Sequence, residues 1–399
     1  MRKFAAALFI GMALFGATVF GFDSWDFVRP VDMDLIHTGA DVQSVKISVV
    51  GDLMLHARQV EDALRRGGGE VYDFNHSLSY IRRHFVHSDI VVGNLETTLA
   101  GPDIGFMDYP LFSAPDEFAH ALRNAGFTLL TTANNHSLDH GEAALLRTIG
   151  TLRDLGITQV GTYATPADRD NITIIEKNGM TFAFLAYTYS TNGMAIPRPY
   201  MVNMLDEILF TDDIRRARDL ADFVIVLPHM GTEYETFTRP RYREVAMAML
   251  QAGADAVLAS HPHVLQPTEL VTVTNPDGTR RTGFIAFSMG NFISGQRVRP
   301  REAGVIFHLY FERVGSAAPT MSAVSYTPTW VRFHRHGTSL DIAVLSVYDT
   351  LTTAFWGGDT GLSQGDLARV REVQAESTLT ISGTEVPIEA LAPEYFILR

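Results

Sequence analysis

The sequence predicts an α/β fold. Apolar, β-rich runs alternate with helix-like segments from Val45 to about Phe311. Asn-Gly and Asp-Gly turns mark antiparallel hairpins in the second half, and several of the apolar runs end in unusual polar residues. Val45–Val50 is the first strand. His56–Arg66 is helical in character and stops at Gly67-Gly68-Gly69. Asp89–Gly93 is a second apolar run, Pro115–Ala125 a helix closed by Gly126, and Phe127–Thr132 a third strand. Gly141–Leu155 is a helix ending at Gly156. Ile172–Glu176 and Thr181–Tyr187 flank Lys177-Asn178-Gly179-Met180, a hairpin signal. Asp212–Leu220 is helical, Phe223–Leu227 a strand, Arg241–Ala252 a helix and Ala254–Ala259 a strand. Leu270–Thr274 and Thr282–Phe287 flank Asn275-Pro276-Asp277-Gly278 as a second hairpin, and Val305–Phe311 is the last clear strand. From about Arg313 the pattern loosens, with one helix expected over Asp366–Glu376.

Composition narrows the function. The chain has 399 residues, 46% of them hydrophobic, as expected of a globular protein with a large core. Its formal net charge of −13 argues against nucleic acid or anionic lipid as the main partner, because both require basic surface. There is no cysteine, which excludes disulfides, thiolate metal ligands and a cysteine nucleophile. Any metal must be held by His, Asp, Glu, Asn or backbone oxygen. At the N-terminus, Arg2-Lys3 precedes Phe4 through Phe22, a run without a charged residue. This reads as a secretory signal over residues 1–22, either cleaved or retained as an anchor. Both readings place the rest of the chain outside the cytoplasm, on the periplasmic or extracellular face of the envelope. Residues 23–44 read as a linker.

The most informative stretch is His261-Pro262-His263, which follows the apolar run ending at Ser260. Strand side chains two apart share a face, so both imidazoles are expected to aim at one point. Two imidazoles converging there suit a transition metal. Other buried runs end similarly, in Gly51-Asp52, Gly93-Asn94-Leu95-Glu96, Ala133-Asn134-Asn135-His136 and Pro228-His229. Ligands of open α/β sheets bind beyond the carboxyl ends of strands. Asp52, Glu96, Asn135, His229, His261 and His263 therefore gather as candidate metal ligands. The set suits a binuclear hydrolytic site, with Asp52 or Glu96 as bridging carboxylate. His136 is left to donate a proton or stabilise developing charge.

These motifs resemble the bacterial capsule synthesis CapA family. Gly51-Asp52-Leu53-Met54, Gly93-Asn94-Leu95-Glu96, Asn134-Asn135-His136-Ser137-Leu138-Asp139-His140-Gly141, His229-Met230-Gly231-Thr232-Glu233-Tyr234 and His261-Pro262-His263-Val264-Leu265-Gln266 carry the likeness. Ser288-Met289-Gly290-Asn291-Phe292 and Pro328-Thr329-Trp330-Val331 extend it to about residue 331. The resemblance implies a relative of calcineurin-like metallophosphoesterases linked to poly-γ-glutamate capsule assembly. It implies a four-layer α-β-β-α sandwich over residues 45–331, with 332–399 as a C-terminal accessory segment. It also implies one or two divalent ions (Mn, Zn or Fe), His136 as catalytic histidine oriented by Asp139, and Glu233 as a second acid/base or polymer contact. The expected partners are an anionic polymer or phosphoester substrate and a membrane polymer synthase complex, with no nucleic acid. The membrane is a further contact if the N-terminal segment stays uncleaved.

Two departures bear on catalysis. Met54 stands where ordinary metallophosphoesterases carry the histidine of an Asp-x-His motif, and thioether sulfur is a poor ligand for a hard hydrolytic metal. Glu96 replaces their usual aspartate. His56, two residues beyond Met54, is a candidate replacement ligand. A non-catalytic envelope component that guides an anionic polymer is the alternative reading. Arg239, Arg241, Arg243, Arg297, Arg299 and Arg301 would then supply a basic patch on an otherwise acidic chain.

Overall fold

A computed structural model describes residues 41–399 apart from 276–277 and 337–338. The expected N-terminal signal or anchor, nearly all of the expected linker and the Pro276-Asp277 hairpin tip lie outside the described residues. The chain begins with β1 (Val42–Leu53), α1 (Ala57–Arg66), α2 (Asn75–Ser79), β2 (Ile90–Leu95), α3 (Asp116–Ala125), β3 (Leu129–Thr131), α4 (Gly141–Asp154) and β4 (Thr158–Val160). It continues with α5 (Pro166–Asp170), β5 (Thr173–Lys177), β6 (Met180–Thr188), α6 (Glu207–Leu220), β7 (Phe223–His229), α7 (Pro240–Ala252) and β8 (Ala256–Leu258). The remainder is β9 (Thr268–Thr274), β10 (Arg280–Ala286), β11 (Asn291–Ile293), β12 (Ala303–Val314), β13 (Thr320–His336), β14 (Ser339–Ser346), α8 (Val347–Phe355), α9 (Gln364–Ser382) and β15 (Tyr395–Leu398).

The fold is α/β with two sheets. The nine-stranded sheet runs β14-β13-β12-β1-β2-β3-β4, with β11 added on β1 and β15 on β13. The six-stranded sheet runs β5-β6-β7-β8-β10-β9. β1 through β4 are mutually parallel, as are β6, β7, β8 and β10. Strands β2, β7 and β8 are buried at every position, which is why they read as continuous apolar runs rather than alternating ones. The β5–β6 hairpin turns at Asn178 (φ 47°) and Gly179 (φ 73°), the left-handed pair a two-residue turn demands.

Three apolar clusters order these layers. Ile47, Val92, Phe184, Ile225 and Phe307 belong to the cluster between the sheets. Val91, Leu130, Phe118 and Leu122 join the outer face of the nine-stranded sheet to α3. Val224, Val257, Ile214 and Leu250 join the six-stranded sheet to α6 and α7. The parallel strands of both sheets are thus fixed from both sides, and their carboxyl ends form a rigid edge.

The segment after residue 331 is built into this scaffold. The expected boundary falls inside β13, whose edge away from β12 carries both β14 and β15. Residues 41–399 form one compact unit. Pro328, inside β13, has no N–H to donate to a ladder. β15 pairs up to Tyr326 and β14 starts at Thr329, so Pro328 sits at the gap between them. No helix among the described residues is long and apolar enough to cross a membrane.

Candidate metal centre

Strand ends from both sheets meet at one buried point. Asp52 lies near the end of β1, Glu96 just past β2, Asn135 and His136 past β3, His229 at the end of β7, and His261 and His263 past β8. Each of these side chains is buried. Across the seam, His229 Nε2 lies 2.7 Å from Asn135 Oδ1 and 3.4 Å from Glu96 Oε1. His263 Nδ1 lies 2.9 Å from Asp52 Oδ2, and its Nε2 lies 3.8 Å from Glu96 Oε1.

Three ligand groups follow, the atoms of each lying within 4.8 Å of one another: Asp52, Glu96 and His263; Glu96, His229 and His261; and Glu233, His261 and His263. Glu96 is the one carboxylate that enters two of these groups, Asp52 and Glu233 entering one each, so it would be the bridging ligand of a cation pair held there.

The donor set fits a divalent cation. Both Glu96 oxygens and His261 Nδ1 are buried without a hydrogen-bond partner. Orphaning a carboxylate in this way is costly unless a cation completes it. Burial, and then the charge of Asp52, push the Glu96 carboxyl well above its usual range. Burial pushes His229 down to about 3 and His261 well below the usual imidazole range, so both are neutral, as ligands must be. His263 is opposite in sense: burial opposes its protonation, but Glu96 and the Asp52 hydrogen bond raise it to about 9. Asp52 mirrors it, held well below the usual carboxylate range by His263 against the opposing effect of burial. Seating a cation here would release the His263 proton.

The two motif histidines do not converge for the expected reason. β8 ends at Leu258, and His261 (φ 107°) and His263 (φ 58°) both hold positive-φ backbone. Their ring centres are 5.8 Å apart; beside Glu96 they enter different groups, and with Glu233 they share one. Such backbone is uncommon for non-glycine residues and clusters at functional sites.

His136 stands beside the ligand groups rather than in them. Its Nδ1 is 2.7 Å from Asp139 Oδ2, and Phe112 packs edge-on against the ring at 4.7 Å. The same Asp139 oxygen accepts the Phe112 backbone N–H, fixing the carboxylate as well. Glu233 is exposed at the rim, on the side of His261 and His263.

The family model of the bacterial capsule synthesis protein PGA_cap matches residues 46–296. The chain is 31% identical over 280 residues to a capsule biosynthesis protein CapA of Bacillus anthracis, covering 67% of this chain and 64% of that one. It is also 31% identical over 269 residues to a PGA biosynthesis protein CapA of Bacillus subtilis (strain 168), covering 66% and 67%. This chain belongs to the PGA_cap family. It spans about two thirds of the length of these relatives. Among solved structures, a hypothetical protein from Thermus thermophilus is 18% identical with a TM-score of 0.37, over 76% of this chain and 99% of that one, a likeness too slight to bear on function.

In this PGA_cap chain, Met54 is buried and His56 does not replace the missing histidine. His56 N-caps α1 and its Nδ1 accepts the Gly295 N–H at 3.0 Å. It joins none of the ligand groups found among the described residues. Two asparagines do more than the sequence disclosed. Asn94 Nδ2 donates to Asp52 Oδ1 at 2.8 Å and lies 3.2 Å from His229 Nδ1, tying one sheet's carboxylate to the other sheet's imidazole. Asn291, on β11, lies 3.1 Å from His263 Nδ1. Both sat inside recognised motifs, but an asparagine amide carries no titration signal to single it out. Gly51 explains how closely β1 passes against the start of β11. A Cβ there would fall 2.0 Å from the Gly290 carbonyl oxygen, the same atom that accepts the Asp52 N–H.

Proposed function

We propose that this chain is a metal-dependent hydrolase of the phosphoesterase type, exported to the envelope and acting in capsule or exopolymer biosynthesis of the poly-γ-glutamate kind. The observation that carries the reading is Glu96, buried, orphaned at both oxygens and shared by two ligand groups. The sheet-on-sheet core with helices outside supports the four-layer metallophosphoesterase sandwich. Asp52, Glu96 and His263 would hold one cation, and Glu96, His229, His261 and Asn135 a second. Cations held there supply Lewis acidity and activate water near neutral pH. The protein's own contribution is proton handling. His136 Nδ1–H donates to Asp139 Oδ2, which leaves Nε2 to exchange a proton with a leaving oxygen. The uncharged Phe4–Phe22 run supports export, with residues 1–22 as signal or anchor and an anionic polymer and membrane synthase complex as partners.

Met54 favours a second reading, in which the same fold binds and guides an anionic polymer without cutting it. Metal analysis of protein purified without chelator separates the two. The hydrolase reading expects at least one equivalent of Mn, Zn or Fe; less than about 0.2 equivalents sinks it. With metal present, His136→Ala should lose hydrolysis of a model phosphodiester while keeping the metal. Unchanged turnover removes His136 from the chemistry.

A further inference from the structure

The arginines near the site differ in what they face. Arg239 and Arg243, in and beside the first turn of α7, pair with Glu235 and Glu269. Arg299 pairs with Glu372 on α9. Arg297 donates to the Val331 carbonyl and covers Phe333. Arg301 lies over the Tyr234 ring. Arg241 has no carboxylate partner among the described residues. Its guanidinium donates to the Tyr242 hydroxyl at 2.6 Å and lies over that ring, 4.5 Å from its centre. Tyr242 is itself held, its hydroxyl donating to the Gly231 carbonyl. The arginine is thereby pre-organised.

It faces a cavity of about 460 Å³ that shares His261 with the metal centre. Tyr189 forms another wall and lies against the His261 ring at 4.6 Å. Thr232 also lines the cavity, and its Oγ1 is buried without a hydrogen-bond partner. A fixed guanidinium faces open space beside a candidate metal ligand, and an unpaired hydroxyl lies buried in the adjoining wall. Guanidinium and hydroxyl donors together suit a carboxylate or phosphate oxygen pair. Glu233 lines the same cavity and would repel an anion. Its carboxylate lies within 4.8 Å of ligand atoms of His261 and His263, so cations held by those histidines at the two positions proposed above would offset that charge.

We propose that this cavity is a substrate subsite that takes an oxyanion adjoining the reacting bond, held by Arg241 and Thr232. The subsite deepens the polyanion reading given above and rests on it for the identity of the substrate. A repeating anionic polymer places such a group at a regular distance from each linkage, and the Tyr189 and Tyr242 rings offer apolar faces to its methylene stem.

The test is calorimetric titration of the full chain, manganese-loaded and chelator-treated, with inorganic phosphate and separately with γ-glutamyl-glutamate. At least one probe should bind the loaded protein, more weakly after chelation. Arg241→Gln should weaken it about tenfold, Arg241→Lys less, and Thr232→Val by a smaller factor, while Arg239→Gln leaves it unchanged. Binding of one probe alone identifies the oxyanion as phosphate or carboxylate. Three results overturn the subsite: neither probe binding below about 10 mM, Arg241→Gln within about twofold of wild type, or Arg239→Gln equally weakened. Turnover measured on the same samples keeps the readings apart. Arg241-dependent binding without hydrolysis removes the hydrolase and keeps the subsite; hydrolysis with KM indifferent to Arg241→Gln does the reverse.

Discussion

Glu96 concentrates the chemistry of the site in one side chain. Fully buried, beside Asp52 and without a hydrogen bond, it disfavours the metal-free fold and favours a cation. Replacing it with glutamine removes the charge and the bridge together. Metal-free Glu96→Gln protein should therefore melt no lower than metal-free wild type. Saturating manganese should raise the wild-type Tm, since ligand at 100 times Kd adds about 2.7 kcal/mol, and leave the variant nearly unmoved. Thermal melts with metal and with chelator read both effects; an equal metal-induced rise in the two proteins would remove Glu96 from the ligand set. Most of this site was legible in the sequence because polar residues after buried strands have few structural uses. Asp52, Glu96, Asn135, His229, His261 and His263 do come together. What sequence did not disclose were directions fixed by tertiary contacts: the positive-φ backbone that carries His261 and His263, the His56 cap, and the bridging amides of Asn94 and Asn291.

Among elements, the contact between β1 and β11 sets the position of Asp52. Gly51→Ala would drive a methyl group into the Gly290 carbonyl, and something must shift. Overpacking of this kind costs about 1–3 kcal/mol, and here it also moves a ligand. Gly150, inside α4, is the counter-case. An added Cβ meets nothing within 4 Å, so Gly150→Ala should stabilise by about 0.5–1 kcal/mol. Urea unfolding should give the two substitutions opposite signs; a neutral Gly51→Ala would mean the crossing is not tight. The long, fully buried strands and the glycine-stopped helices were readable because burial on both faces and chain stops leave strong local signals. β4 and β11 were not, since each carries only one or two apolar residues and makes no readable run. β13 and β14 were missed for a related reason, polar residues breaking their apolar runs, and β15 is only four residues long.

For the whole molecule, β15 adds to the outer edge of β13 and brings Glu394, the residue before it, to a polar cluster. Lys46 Nζ on β1 lies 2.8 Å from Glu394 Oε1, and Tyr310 and Ser325 donate to Oε2. His308 on β12 is buried beside them, with Nδ1 2.8 Å from Ser48 Oγ. Burial, then the Lys46 charge, push His308 down to about 3. Glu394 is lowered to about 2, since His308, Lys46 and the hydrogen bonds outweigh burial. Both shifts act in one direction. In the unfolded chain His308 takes up a proton below about pH 6.5 and Glu394 below about 4.3, whereas the folded chain resists both. His308 therefore contributes a loss of stability as pH falls from about 6.5 towards 3, and Glu394 adds to it below about 4.3. Each group contributes a slope of at most about 1.4 kcal/mol per pH unit, large against a total stability of about 5–15 kcal/mol. His308→Gln removes the first contribution and keeps a polar group facing Ser48. Urea midpoints measured from about pH 7 to about pH 5 should fall more steeply for the wild type than for His308→Gln, so that the two curves converge on acidification. Parallel curves would mean that His308 titrates alike in the folded and unfolded chains and that the cluster does not set the acid limit of the fold.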